Sequence, residues 1–147
     1  MRRRTVVALV VLVILIAIQL VPLDRSNPPI RGEIQVPRAV SEVFRRSCYD
    51  CHSNETHWPW YSYVAPISWM LVHHVNEGRE EVNFSTWSGL SDKERSEIVR
   101  EIWEETSKGK MPLRGYLVIH PEAKLSDAAL EALRAWSESS HEKDVPD

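Results

Sequence analysis

The pattern of apolar residues divides the chain into two parts. Val6 to Val21 form an almost unbroken apolar run that only Gln19 interrupts, whereas apolar residues after Leu23 recur at helical spacing. The apolar segment from Thr5 to Leu23 covers about 19 residues, close to the roughly 20 that a membrane-spanning helix requires. The pattern therefore predicts a transmembrane helix within residues 1–23, followed by a single domain.

Four helices are predicted in that domain, each from apolar residues at intervals of three and four and from a start or stop signal. The first runs from Pro37 to about Ser47, the second from Ser62 to about Val82, the third from the capping box at Ser91 to Lys108-Gly109, and the fourth begins at Ser126.

The fold class predicted from these patterns is all-α, because no alternating strand pattern lies between the helices. A glycine at position 78 suggests that the second helix ends or bends there. The inner faces comprise Val40, Val43 and Phe44; Ile67, Met70, Leu71, His74 and Val75; Ile98, Val99, Ile102 and Trp103; and Ala129, Leu133 and Trp136.

Three arginines at positions 2–4 precede the apolar run, as in an export signal. No small-x-small cleavage site follows it, which favours a retained signal anchor, with cleavage as the alternative. The positive-inside rule then places the rest of the chain across the membrane, on the periplasmic side of the inner membrane in a bacterium. Residues 24–37 contain three prolines and one glycine and are predicted to be a tether. The domain is predicted to cover residues 38–138 and a charged tail residues 139–147.

The charge of the exported part is negative. The chain has 18 Lys and Arg and 21 Asp and Glu, and three of the basic residues lie in the first four positions, so the remainder carries 15 against 21, a net charge of −6. Such a surface disfavours nucleic acid as a partner. It suggests a redox protein with a basic docking patch, although solubility alone also accounts for it.

The motif with the most chemical content is Cys48-Tyr49-Asp50-Cys51-His52. A Cys-x-x-Cys-His run is the attachment site of a c-type haem. Two thiols at this spacing can add across the two vinyl groups of one porphyrin, and His52 is then held beneath the iron as an axial ligand. Its other ring nitrogen is expected to donate to a backbone carbonyl.

Two other chemistries share part of this motif. A structural zinc ion normally takes four Cys or His ligands. Because Cys48 and Cys51 are the only cysteines, a zinc site would need two histidines as its other ligands. A redox dithiol of the thioredoxin type also uses Cys-x-x-Cys but belongs to a βαβ context, which the sequence lacks.

The helix that enters this motif and the helix that closes the chain resemble the skeleton of a small cytochrome c, a helical domain around one covalently bound haem. A Met-Pro pair between the third and fourth helices resembles the distal ligand position of that class, so Met111 is the predicted second axial ligand. Its thioether is soft and neutral, which favours ferrous iron and raises the reduction potential relative to a second histidine. His74 is the alternative sixth ligand. Met70, on the same predicted face, is expected to be a core residue, as methionine usually is.

An aromatic segment follows the motif, and within it Trp58 and Trp60 are predicted to contact the haem. An ordinary aromatic core explains them equally well. Arg114 lies three residues after Met111 and is predicted to pair with a haem propionate, although it is also compatible with a surface role.

A longer set of residues resembles the bacterial haem-binding domain family of cytochrome c type, over about residues 36–137. The resemblance implies covalent haem at Cys48 and Cys51 with His52 as ligand, and fusion to other cytochrome domains in some members. The residues that carry it are Asn54-x-Thr56-x-Trp58-Pro59-Trp60-Tyr61, Ala65-Pro66-x-Ser68-Trp69, His74-Val75-x-Glu77-Gly78-Arg79, Asn83-Phe84-Ser85-x-Trp87, and Met111-Pro112 with Tyr116 and His120-Pro121.

The function expected from the sequence is that of a membrane-anchored, mono-haem electron carrier rather than an enzyme. The first alternative is a haem-based redox or small-gas sensor with an open sixth site. A peroxidase-like enzyme ranks below it, because it requires a distal acid or base such as His74 or His120 near the iron.

Overall fold

The computed structural model describes residues 2–142, and these residues form helices and turns without a β-strand. The predicted all-α class is therefore confirmed. Four 3₁₀ turns accompany the helices, at Ile18–Leu20, Trp60–Tyr63, Phe84–Gly89 and Pro121–Ala123. The α-helices are α1 (Arg3–Ala17), α2 (Arg38–Ser47), α3 (Tyr49–His52), α4 (Ile67–Glu81), α5 (Asp92–Ser107), α6 (Arg114–Ile119) and α7 (Asp127–Glu142).

Helix α1 and the 3₁₀ turn after it are long and apolar enough to cross a membrane. Together they cover Arg3–Leu20, 18 residues of which none is buried against the rest of the protein. At 1.5 Å per residue this segment is about 27 Å long, close to the roughly 30 Å thickness of a bilayer's hydrocarbon core.

The core of the domain forms where α2 packs against α7. Phe44 of α2 is fully buried. Its ring stacks on Phe84 with centroids 4.5 Å apart and meets the edge of Trp136 in α7 at 5.4 Å. The apolar residues predicted for the inner faces of the first and last helices are all buried. Offset-stacked and edge-to-face aromatic pairs stabilise such a core beyond the area they bury.

Helix α5 begins and ends where the sequence predicts. Ser91 and Glu94 form the predicted capping box, in which each side chain bonds to the other residue's backbone N–H. Gly109 follows the helix with φ +65°, a left-handed conformation that glycine adopts without steric cost. The turn brings the N–H groups of Lys110 and Met111 back to the carbonyl of Glu105, at 2.9 and 3.1 Å. The position of Met111 is thereby fixed to the end of α5.

Helix α4 differs from the prediction in its start and in its inner face. It begins at Ile67 rather than Ser62, because Pro66 has no N–H and restricts the residue before it. It continues through Gly78 to Glu81. Ile67 and Met70 were predicted to lie inside, but they are 43% and 55% exposed. Val75 is buried as predicted, and the rest of the buried face consists of Ser68, Val72 and Gly78.

Residues 24–37, predicted to be a tether, lie along the surface of the domain, and we call them the strap. Ile34 is part of the buried core, and its N–H donates to the carbonyl of Phe84 at 2.9 Å. The N–H of Arg31 donates to the carbonyl of Ser85 at 2.8 Å. The strap therefore belongs to the domain. At the other end of the domain, α7 extends to Glu142, so the predicted tail is helical at 139–142, and its residues 143–147 lie outside the described part of the chain.

Candidate functional site

A cavity of about 790 Å³ lies beside α3, within the roughly 300–1,000 Å³ range of small-molecule and cofactor sites. Its walls come from α3, the second half of α4, the second half of α5 and the segment leading into α6. The side chains with the most relevant chemistry on these walls are Cys48, Cys51, His52, His74, Met111 and Tyr116.

Local backbone bonds present the Cys-x-x-Cys-His motif to the cavity. The N–H of Cys48 donates to the carbonyl of Phe44 at 2.8 Å, which continues the last turn of α2. The carbonyl of Cys48 then accepts from the N–H groups of Cys51 and His52 at 3.1 and 2.9 Å. This single helical turn places residues three and four apart on one side. Both thiols and the imidazole therefore line the same cavity.

The ring of His52 is oriented by the end of α4. Its Nδ1 lies 2.8 Å from the carbonyl oxygen of Gly78 and 3.2 Å from that of Val82. Because carbonyl oxygens only accept, Nδ1 carries the proton, and the lone pair of Nε2 is available to a metal. Burial lowers the pKa of His52, which keeps the imidazole neutral. This arrangement fits the axial-ligand role predicted from the sequence.

Gly78 allows α4 to approach the motif closely. A Cβ atom at this position would lie 2.7 Å from the carbonyl oxygen of Cys51 and 3.1 Å from its carbonyl carbon. Only a residue without a side chain fits this contact. The glycine that suggested a helix end therefore marks the point where α4 meets α3.

The two thiols are not activated as thiolates. Burial raises the pKa of Cys48 to about 12 and that of Cys51 to about 11. A redox dithiol of the thioredoxin type requires a lowered thiol pKa, so this environment disfavours that chemistry. Within residues 2–142, no group of three or more Cys, His, Asp or Glu side chains is placed to hold a metal ion, so we do not propose a structural zinc site.

Both candidates for the sixth ligand line the cavity. Met111 reaches it from the segment after α5, and His74 from α4. Met70 is exposed on another face of α4 and is not among the lining residues. The structure therefore brings the motif together with the predicted ligand and with its alternative.

A hydrogen bond that the sequence analysis missed joins the motif to α6. The hydroxyl of Tyr116 donates to the Oδ2 atom of Asp50 at 2.7 Å, and the Oδ1 atom of Asp50 accepts from the N–H of His57 at 3.1 Å. Asp50 occupies a variable position of the motif, where haem attachment prescribes no residue type. The contact is therefore visible only in three dimensions.

Three predicted haem contacts lie elsewhere. Trp58, Trp60 and Arg114 are absent from the described lining of the cavity, and Trp60 is 78% exposed. We therefore propose no haem contact for these residues. His120 is also outside the cavity, hydrogen-bonded to Tyr61 and Glu122.

The donors and the lining together fit a haem. Two thiols, an imidazole with an available Nε2 and a thioether are the groups that hold a c-type haem. Apolar walls for a porphyrin come from Val82, Phe84, Ile102 and Leu113. The remaining wall is acidic, because Arg100 is the only Lys or Arg among the described lining residues and the carboxylates outnumber it. These carboxylates belong to Asp50, Glu77, Glu80, Glu81, Glu101, Glu104 and Glu105.

Comparison with known protein families agrees with this fit. Residues 13–139 match the haem-binding domain. Searches of curated proteins and of solved structures give no match. Because the family match covers most of the chain and includes every residue of the cavity, the chain belongs to the haem-binding domain family.

Proposed function

We propose that the protein is a membrane-anchored, mono-haem c-type cytochrome that transfers electrons. One haem c is attached covalently through Cys48 and Cys51, and His52 is one axial ligand of its iron. The observation that carries this proposal is the cavity, where both thiols, the available Nε2 of His52 and a candidate sixth ligand converge.

Met111 is the proposed sixth ligand. A bound haem supplies one-electron exchange between ferric and ferrous iron. The contribution of the chain is to hold the ring of His52 and the backbone of Met111 in fixed positions. The ring of His52 is bonded to the backbone of α4, and the backbone N–H of Met111 is bonded to Glu105.

The proposed location is the inner membrane of a bacterium, with the haem domain in the periplasm. Helix α1 is the anchor, and the arginines at positions 2–4 set its orientation by the positive-inside rule. The proposed partner is a redox protein with a basic docking patch. The acidic wall of the cavity supports this choice, because Glu80 and Glu81 lie there without a salt-bridge partner among the described residues.

Absorption spectra of single variants test the ligand assignment. We expect oxidised wild-type protein to have a far-red band from sulfur-to-iron charge transfer. Met111→Ala should lose this band and have a lower reduction potential, because a thioether stabilises ferrous iron. Met70→Ala is the matched control, since Met70 is exposed and outside the cavity, and it should keep both properties.

Two other results would change the proposal. Loss of the haem's low-spin spectrum in His74→Ala, with the band absent from wild type, would assign the sixth site to His74. Absence of the band together with rapid carbon monoxide binding to the reduced wild type would contradict the electron-carrier proposal and favour a gas sensor.

A further inference from the structure

A group of exposed apolar side chains lies just after the haem motif. Trp60, Tyr63, Val64 and Ile67 are 78%, 61%, 42% and 43% exposed, and we call these four residues the apolar patch. The 3₁₀ turn at Trp60–Tyr63 packs against α4, so the patch is continuous from the turn to the start of the helix. Contiguous exposed apolar surface of this kind marks a contact site for a protein or a membrane.

The patch is held against the end of the membrane-spanning segment. Gln19 accepts a hydrogen bond from the N–H of Ala65 at 2.9 Å and donates to the carbonyl of the same residue at 3.3 Å. Ala65 lies between Val64 and Ile67 of the patch. These bonds also account for the one polar residue in the apolar run.

A second contact fixes the same junction. The Nε atom of Arg25 donates to the carbonyl of Ser62 at 2.7 Å, and its guanidinium lies 4.6 Å from the centre of the Tyr63 ring. The first residues after the membrane helix are thus bonded to the turn that carries the patch. The patch and the helix end cannot separate without breaking these bonds.

The position of Gln19 indicates the depth of the patch in a bilayer. Arg3–Leu20 is about 27 Å long, so Gln19 lies where the hydrocarbon core meets the headgroups. Trp and Tyr favour this level, because their rings combine an apolar body with a polar N–H or O–H. The residue types in the patch and its expected depth in the bilayer therefore both match the membrane interface.

We propose that the apolar patch lies in the headgroup region of the bilayer and holds the haem domain on the membrane surface. This rests on the membrane anchor of the proposed function. Along α4, Gly78 is about 16 Å from Ile67, so the cavity end of the helix is separated from the patch end. The domain is then seated on the membrane through one end of α4, with the haem motif packed on the other.

Quenching by brominated lipids tests this proposal in the full-length haem protein. The protein is reconstituted into vesicles of phospholipid brominated near the headgroup or of the same lipid without bromine. Wild type should lose more tryptophan emission in the brominated vesicles, and this loss should be smaller in Trp60→Phe. Trp87→Phe is the control, because Trp87 packs against the core, and it should retain the wild-type loss.

A second variant tests the seating without removing a fluorophore. Ile67→Glu places a charge in the interface, and we expect it to reduce bromine-dependent quenching while the protein stays in the membrane pellet after carbonate extraction. If pelleted wild type shows no more quenching than pelleted Trp60→Phe, the patch does not contact lipid and the inference is wrong, although the anchor stands. If carbonate releases the wild type, the anchor itself is wrong, and the inference fails with it.

Discussion

At the scale of single residues, some members of the candidate site can be identified from the sequence, and the roles of others appear only in the structure. Cys48, Cys51 and His52 line one cavity, and the sequence singles them out because the proposed covalent haem attachment requires those residue types at that spacing. The role of Gly78 was not predictable, because the atoms that exclude a side chain there belong to Cys51, 27 positions earlier. The exposure of Trp60 was also unpredictable, since it depends on how the 3₁₀ turn at Trp60–Tyr63 packs against α4.

Replacing Gly78 with alanine tests the close approach of α4 to the motif. The new Cβ would lie 2.7 Å from the carbonyl oxygen of Cys51, so backbone must shift. Overpacking of this kind costs about 1–3 kcal/mol. We expect Gly78→Ala to lower the free energy of unfolding by this amount and to reduce the fraction of chains that acquire haem.

The matched control is Gly115→Ala in α6, where a Cβ atom meets nothing within 4 Å. A helical glycine replaced by alanine in open space stabilises a protein by about 0.4–1 kcal/mol. Chemical denaturation of both variants gives the comparison. Equal effects of the two substitutions would show that α4 tolerates a side chain against the motif.

At the scale of elements, the sequence predicts the start or end of a helix correctly where capping residues or a terminating glycine mark it. The capping box at Ser91, the left-handed Gly109 and the cap at Ser126, whose Oγ accepts from the N–H of Ala129 at 3.2 Å, all lie where predicted. The packing of the strap against the domain could not be predicted, because its partners are the backbone groups of Phe84 and Ser85, about 50 positions away. No local pattern encodes such pairing.

Arg79 joins the strap to the loop after the haem motif, and its removal tests whether the strap stabilises the domain. Its guanidinium donates to the carbonyl of Ser53 at 2.9 Å and to Oγ1 of Thr56 at 2.9 Å. It also donates to the carbonyl of Ser26 at 3.1 Å and to Oδ1 of Asn27 at 2.7 Å. We expect Arg79→Ala to lower the free energy of unfolding by about 1.5–3 kcal/mol.

Arg79→Lys should not restore this stability, because one ammonium group cannot reproduce the planar fork of a guanidinium. Arg134→Ala is the control, since among the described residues Arg134 bonds only to carboxylates of its own helix. Its denaturation midpoint should match that of wild type. If Arg79→Ala also matches wild type, the strap contributes nothing to the stability of the domain.

At the scale of the whole molecule, negative charge is expected to govern how charged partners approach. Residues beyond Leu23 carry a net charge of −6, and carboxylates line the cavity. Such a field accelerates association with cations and is screened over about 8–10 Å at physiological salt.

Electron transfer to small oxidants of opposite charge tests this field. A cationic metal complex should oxidise the reduced protein faster than an anionic complex of similar potential. Added salt should slow the first reaction and accelerate the second. Stopped-flow rates over a range of ionic strength provide the measurement, and rates that do not change with salt for either oxidant would rule out electrostatic steering.

The central claim is the proposal that the protein carries one haem bonded covalently to Cys48 and Cys51. The protein is produced in a host that matures c-type cytochromes and is then extracted with acidified acetone. The most direct measurement is its intact mass after this extraction. Wild type should retain the mass of the chain plus one haem, and the Cys48→Ser, Cys51→Ser double variant should have the mass of its chain alone. Wild-type protein that released its haem into the acetone, leaving only the mass of the polypeptide, would contradict the account.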